Sequence, residues 1–137
     1  PRMGYSHVVP ELAKRMLLNK NKKEIKIYSP NHRRAFCYID DAIHQILKLS
    51  MNKNIKNEIF NIGNMQEEIK MMDIAKKIKL ILNISSKLKR GKITKGSPSR
   101  RVPDMSKTLK KIQRKKFIKL NEALKLTLSW YRNQLSK

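Results

Sequence analysis

The residues of this chain best equipped for chemistry are two arginine pairs, Arg33-Arg34 and Arg100-Arg101. A guanidinium is planar, permanently charged, and presents paired N–H donors that match the oxygens of a phosphate or carboxylate. By itself such an arginine is as readily a surface cation held by a neighbouring carboxylate. Asp104 directly follows Pro103 and precedes a helical pattern, the position of an N-terminal cap. The other reactive types offer less. His7, His32 and His44 have no partner in sequence reach for a dyad, and Cys/His metal spacings are absent. The single cysteine, Cys37, rules out an internal disulfide and reads as a small core residue. No catalytic or metal-ligating set emerges.

The elements that must position these groups are short. Val8/Val9, Leu12/Ala13 and Met16/Leu17 recur at helical spacing, with Pro10 tolerable only in a first turn, so residues 7–19 are expected to be helix. Glu24–Tyr28 alternates as a strand ended by Ser29-Pro30-Asn31, which places Tyr28 at a strand end. Phe36 and Tyr38 mark a second strand. Asp40 or Asp41 then caps a helix whose apolar face is Ile43, Ile46, Leu47 and Met51. Residues 58–63 read as a strand ending at Gly63, and Met71, Ile74/Ala75, Ile78 and Leu82 as the next helix. Residues 84–94 resemble a loop with a poor strand around Leu88 and Ile93, and Gly96–Pro103 must be loop. A short helix starts at Ser106. The last runs from about Leu120 to Leu135, with Leu120, Leu124, Thr127/Leu128 and Tyr131 on one face. The architecture is α/β, a small mixed lobe of short strands and amphipathic helices.

With 137 residues the chain makes one domain or one subdomain. No apolar run approaches the roughly 20 residues of a membrane span, no secretory layout opens the chain, and the cytoplasm is the default compartment. The formal net charge of +23 invites a nucleic-acid or polyanion partner. However, the lysines are scattered in short pairs such as Lys22-Lys23, Lys76-Lys77, Lys110-Lys111 and Lys115-Lys116. Abundant Lys, Ile and Asn reflect A/T-rich codons, and no aromatic residues interleave with the cations as a base-stacking platform requires. A solvated basic surface accounts for the charge; nucleic acid remains the alternative partner.

Three segments resemble one family in order and spacing. Arg33–Ala42 follows the pattern R-x-F-x-Y-[IV]-x-D. Ile59-Phe60-Asn61-Ile62-Gly63-Asn64 precedes Glu67-Glu68-Ile69, and Gly96–Lys107 carries Arg100-Arg101-Val102-Pro103-Asp104. Together they resemble the C-terminal half of extended short-chain dehydrogenase/reductases acting on sugar nucleotides: NAD-dependent epimerases, dehydratases and decarboxylases. Pro1-Arg2-Met3 looks like the tail of the family's Y-G-P-R segment, and Trp130-Tyr131 like its closing W-Y. The resemblance implies that residues 1–137 form the sugar-nucleotide-binding part, without the Rossmann core. It also implies that Arg34 and Arg101 contact the diphosphate of a UDP- or dTDP-sugar, with Arg100 a neighbouring candidate. Asp104 is then either a cap or a nucleotide or arginine contact, and Tyr28 lies near the base. The family's cofactor is NAD. Yet the Gly-rich turn that sets a pyrophosphate on a helix N-terminus and the family's Tyr-x-x-x-Lys pair do not occur here. The chain alone is therefore expected to bind no cofactor and turn nothing over. Its expected partner is a separate NAD-binding half or a second copy in a homodimer, as in a split or decaying gene.

Several positions depart from the family pattern. Ser29 replaces a glycine after Tyr28, and Gln113 replaces a turn glycine. Lys70 and Lys119 stand where a Ser/Thr cap is usual, Lys116 replaces a proline and Ala123 a glycine. Their clustering after residue 110 makes the docking of the last helix the expected weak point.

Overall fold

A computed structural model describes residues 4–20, 22–113 and 116–135. The Pro1-Arg2-Met3 match and Lys115 lie outside the described residues. The elements in order are α1 (Val8–Leu18), β1 (Glu24–Ile27), β2 (Arg33–Ala35), α2 (Ile39–Ser50), β3 (Glu68–Lys70), α3 (Met71–Leu82), β4 (Lys87–Arg90), β5 (Arg100–Arg101), α4 (Ser106–Ile112) and α5 (Leu120–Leu135).

The core gathers where the sequence pattern is cleanest. Leu12, Ala13 and Met16 of α1 and Met71, Ile74, Ala75, Ile78 and Leu82 of α3 meet Leu120, Leu124, Leu128 and Tyr131 of α5. Ile25 and Ile27, the alternate residues of β1, point into the same cluster. Helix α5 is thus central to the core. The expected weakness of its docking does not hold, because its stripe is buried from end to end.

Two small sheets flank this core. β1 pairs in parallel with β4, so the lysine-spaced segment around Leu88 is a strand, with Ile25 opposite Leu88. The second sheet has the order β3-β2-β5. β2 lies antiparallel to β3, with Arg34 opposite Ile69, and parallel to β5, with Arg34 opposite Arg101. Here two expectations need correction. The second strand is Arg33–Ala35 rather than the Phe36–Tyr38 stretch, and the Gly96–Pro103 loop contains a two-residue strand. A two-residue strand has no periodicity to read. It exists because β2 offers it a free edge.

Helix ends without side-chain caps find acceptors elsewhere. Lys70 provides none for α3, and the amides of Met71 and Met72 donate instead to the carbonyls of His32 (2.9 Å) and Pro30 (3.0 Å). At the start of α5 the Leu120 amide donates to Glu67 Oε1 at 3.3 Å. These long-range acceptors satisfy the orphan donors of a helix N-terminus. Neither Asp40 nor Asp41 caps α2. Tyr38 takes the cap position without a side-chain bond, while Asp41 is buried and accepts the amide of Ile118 at 2.9 Å.

Helix α2 is also turned over relative to the sequence expectation. Asp41, Gln45 and Leu49 face inward, whereas Ile43, Ile46, Leu47 and Met51 are exposed. The expected strand over 58–63 is absent as well: its alternation is real, but among the described residues no strand lies beside it.

Candidate functional site

The sheet β3-β2-β5 concentrates positive charge. In the β2–β5 register Arg33 stands opposite Arg100 and Arg34 opposite Arg101. Four guanidinium groups on two adjacent strands repel one another, and a single carboxylate relieves half of the set. Glu68 on β3 receives Arg33 Nε at 2.7 Å and holds Arg100 by two bonds, at 2.9 and 3.0 Å. The two arginines pull the Glu68 carboxyl down to about 2, hydrogen bonds contributing most. Arg100, a candidate from sequence, is thereby committed to Glu68.

Arg34 and Arg101 form the other half of the set. Arg34 donates to the carbonyl of Arg33 at 2.7 Å and to Ser97 Oγ at 2.8 Å. Its pKa is lowered first by burial and then by the charge of Arg101, which records two like charges facing one another. Both arginines line a hollow of about 400 Å³ floored by Gly63, Asn64, Val102 and Pro103. A Cβ at Gly63 would stand 2.9 Å from Pro103 Cγ, so a side chain there would displace the wall of this hollow. The resulting space carries two cations and suits an anionic group.

On its other flank Arg34 lines a second hollow of about 240 Å³, with Tyr28, Ser29, Glu11, Arg15 and Ser97. The Tyr28 ring is half exposed and sits 5.7 Å from the guanidinium carbon of Arg15, which pairs with Glu11 at 2.8 Å. Ser29 occupies the departure position with φ 46°, the left-handed region that favours glycine. The serine compensates: its hydroxyl accepts the Thr94 amide at 2.9 Å and its amide donates to Lys92 at 3.0 Å. Arg34 therefore lines both hollows, one together with Arg101 and the other together with Tyr28.

Asp104 lines neither hollow. Its carboxylate accepts the Ser106 amide at 2.9 Å at the start of α4, and that bond holds its pKa below the ordinary value. Glu68, Ser97, Glu11 and Arg15 were not singled out from sequence. Glu68 lies 35 positions from Arg33 and Ser97 lies 63 from Arg34, distances over which only the strand register connects them. None of the four glycines lies between a strand and a following helix among the described residues. No group of His, Cys, Asp or Glu there is arranged to hold a metal ion. No described helix is long and apolar enough to cross a membrane.

Residues 1–63 match the NAD dependent epimerase/dehydratase family. An uncharacterized protein of Methanocaldococcus jannaschii is 34% identical over 132 residues, 96% of this chain and 38% of that one. UDP-glucuronic acid decarboxylase 3 of Arabidopsis thaliana is 33% identical over 103 residues, 75% of this chain and 29% of the relative. Among solved structures, UDP-glucuronic acid 4-epimerase from Bacillus cereus, in complex with UDP-glucuronic acid and NAD, superposes with a TM-score of 0.84. Its identity is 26%, over 98% of this chain and 42% of the epimerase. The chain belongs to the NAD-dependent epimerase/dehydratase family and has the fold of the C-terminal part of its extended members. It spans well under half the length of the relatives it matches.

Proposed function

We propose that residues 1–137 are the sugar-nucleotide-binding part of an NAD-dependent epimerase, dehydratase or decarboxylase. In this reading Arg34 and Arg101 hold the diphosphate of a UDP- or dTDP-sugar, and Tyr28 borders the base. The observation that supports it best is the common hollow of Arg34 and Arg101, two facing cations without a carboxylate between them. A pyrophosphate entering it exchanges repulsion for charge-assisted hydrogen bonds, each contributing about 1.5–3 kcal/mol. Arg100 acts indirectly, by neutralising Glu68 so that this carboxylate does not compete for Arg34. NAD is held by residues outside this set, and the hydride chemistry that it supplies belongs with them.

The test is a titration of the chain with UDP-glucuronic acid, UDP and dTDP by calorimetry. Arg34→Ala is expected to weaken binding about ten- to a hundredfold, and Asp104→Asn to leave it within a factor of two. Equal affinity in Arg34→Ala and the parent chain removes the diphosphate assignment. A second reading has one observation of its own, a surface hollow lined by Lys20, Lys22, Lys23 and Lys87 that would attract polyanions. Binding of that kind falls steeply with salt and is indifferent to Arg34.

A further inference from the structure

Glu68 and Arg100 belong to strands that are not neighbours. In the sheet order β3-β2-β5, the strand of Arg33 and Arg34 lies between them. Two strand spacings, about 10 Å, separate the backbones that this pair joins. The Glu68–Arg100 contact is bidentate, at 2.9 and 3.0 Å, and Arg33 adds a third bond from the intervening strand at 2.7 Å. The three side chains form a strap across the sheet on the side that Arg33 reaches. Successive residues of a strand project to opposite faces, so Arg34 and Arg101 emerge on the other side.

Strand β5 is short enough to depend on such a strap. It has two residues, both exposed, and two ladder positions return little of the entropy spent in ordering them. The chain before it, residues 91–99, contains no helix or strand, and Gly96 holds φ 76° in open space. Its other ties run to β2 alone: the Arg33 amide donates to the carbonyl of Ser99 at 2.7 Å, and Arg34 donates to Ser97 Oγ at 2.8 Å. Among the described residues the Arg101 guanidinium makes no hydrogen bond or ion pair, so its backbone alone sets it beside Arg34. We infer that Glu68 is a positioning residue: by strapping Arg100 to β3 it holds β5 in register, and so places Arg101 opposite Arg34 on the other face. The carboxylate never meets the diphosphate. It acts through a backbone that sends one cation to the strap and the next to the ligand. A glutamine in its place offers a single acceptor to two guanidinium groups and turns N–H donors toward them. The inference rests on the diphosphate reading above for what Arg101 holds, and on the strap for how it is held.

The experiment compares the parent chain with Glu68→Gln in two measurements. The first is amide hydrogen exchange at Arg33, with Leu128 in the core as reference. Glu68→Gln is expected to speed exchange at Arg33 about tenfold or more and to leave Leu128 within about twofold. An unchanged Arg33 amide overturns the inference, with or without UDP binding. Acceleration that reaches Leu128 equally also overturns it, by making Glu68 a general support of the fold. The second measurement is a calorimetric titration with UDP. Glu68→Gln is expected to weaken binding about three- to tenfold and Arg101→Ala about tenfold. Combined, they should cost no more than Arg101→Ala alone, because both remove the same contact. Costs that multiply in full overturn the inference. The charge exchange Glu68→Arg with Arg100→Glu keeps one carboxylate between two guanidinium groups and should restore both readouts; a swapped chain as impaired as Glu68→Gln counts against the strap. The two claims fail separately. UDP binding weakened by Arg101→Ala but not by Glu68→Gln removes the positioning role and leaves the diphosphate site. UDP binding indifferent to both Arg34→Ala and Arg101→Ala removes the diphosphate site, while exchange at Arg33 still decides whether Glu68 places Arg101.

Discussion

Helices α5 and α2 carry equally regular apolar stripes, yet the fold uses them in opposite senses. The stripe of α5 closes against α1 and α3, leaving Leu128 fully buried. That of α2 faces outward, and the helix instead buries a polar seam in which Gln45 clasps Gly63. Periodicity reveals that a helix has an apolar face. It does not reveal whether the surface that covers that face belongs to the same set of residues.

The sharpest way to break this contrast is a pair of truncations read by urea denaturation. Leu128→Ala should cost about 2–5 kcal/mol, because the deleted methyl groups leave a cavity in a closed core. Ile46→Ala should stay within about 0.5 kcal/mol in the chain alone. Comparable losses would mean that the α2 stripe is packed after all. A smaller effect is expected where α4 ends. Gln113 holds φ 51° as the C-cap, a left-handed conformation that costs a side-chain-bearing residue roughly 1 kcal/mol. Gln113→Gly should therefore stabilise the chain by about that amount in the same denaturation, and destabilisation would show that the Gln113 side chain does more than fill the turn.

The smallest effect belongs to the arginine sheet and depends on pH. The folded Glu68 carboxyl sits at about 2, below its ordinary 4.5. A depressed carboxyl stabilises the fold fully above the ordinary value and loses that contribution as pH falls through the folded one. The pairing with Arg33 and Arg100 should thus persist through pH 4 and disappear toward pH 2. The side-chain carboxyl signal of Glu68, followed by NMR, checks this directly. A midpoint near 4.5 would show that the two guanidinium groups are not held there.

Most of the helical framework was legible because α1, α3, α4 and α5 bury their own stripes, so that local pattern and tertiary environment agree. The strands were harder. β2 and β5 contain no apolar alternation, only arginines and one alanine, and their pairing is set by loops that bring distant residues side by side. Arg34, Arg101 and Tyr28 were reachable through motif resemblance, and the structure sets Arg101 and Tyr28 on two hollows that share Arg34. Glu68 was not, since a carboxylate three residues before a helix offers no hint of two arginines from other strands. Three of the departures from the family pattern have a visible backbone counterpart, which the sequence reading, concerned with the docking of the last helix, did not foresee. Ser29 and Gln113 both adopt positive φ, and Lys70 leaves α3 to be capped by loop carbonyls.

Those loop carbonyls tie two parts of the molecule that would otherwise be independent. Pro30 and His32, whose oxygens terminate α3, immediately precede the strand bearing Arg34. A load on that guanidinium is therefore transmitted through two or three peptide units to the backbone of a helix whose inner face is locked in the core. The cation behaves less like a side chain on a pliable rim than like a lever seated in the frame, and an anion pulling on it must tug the whole scaffold or move nothing.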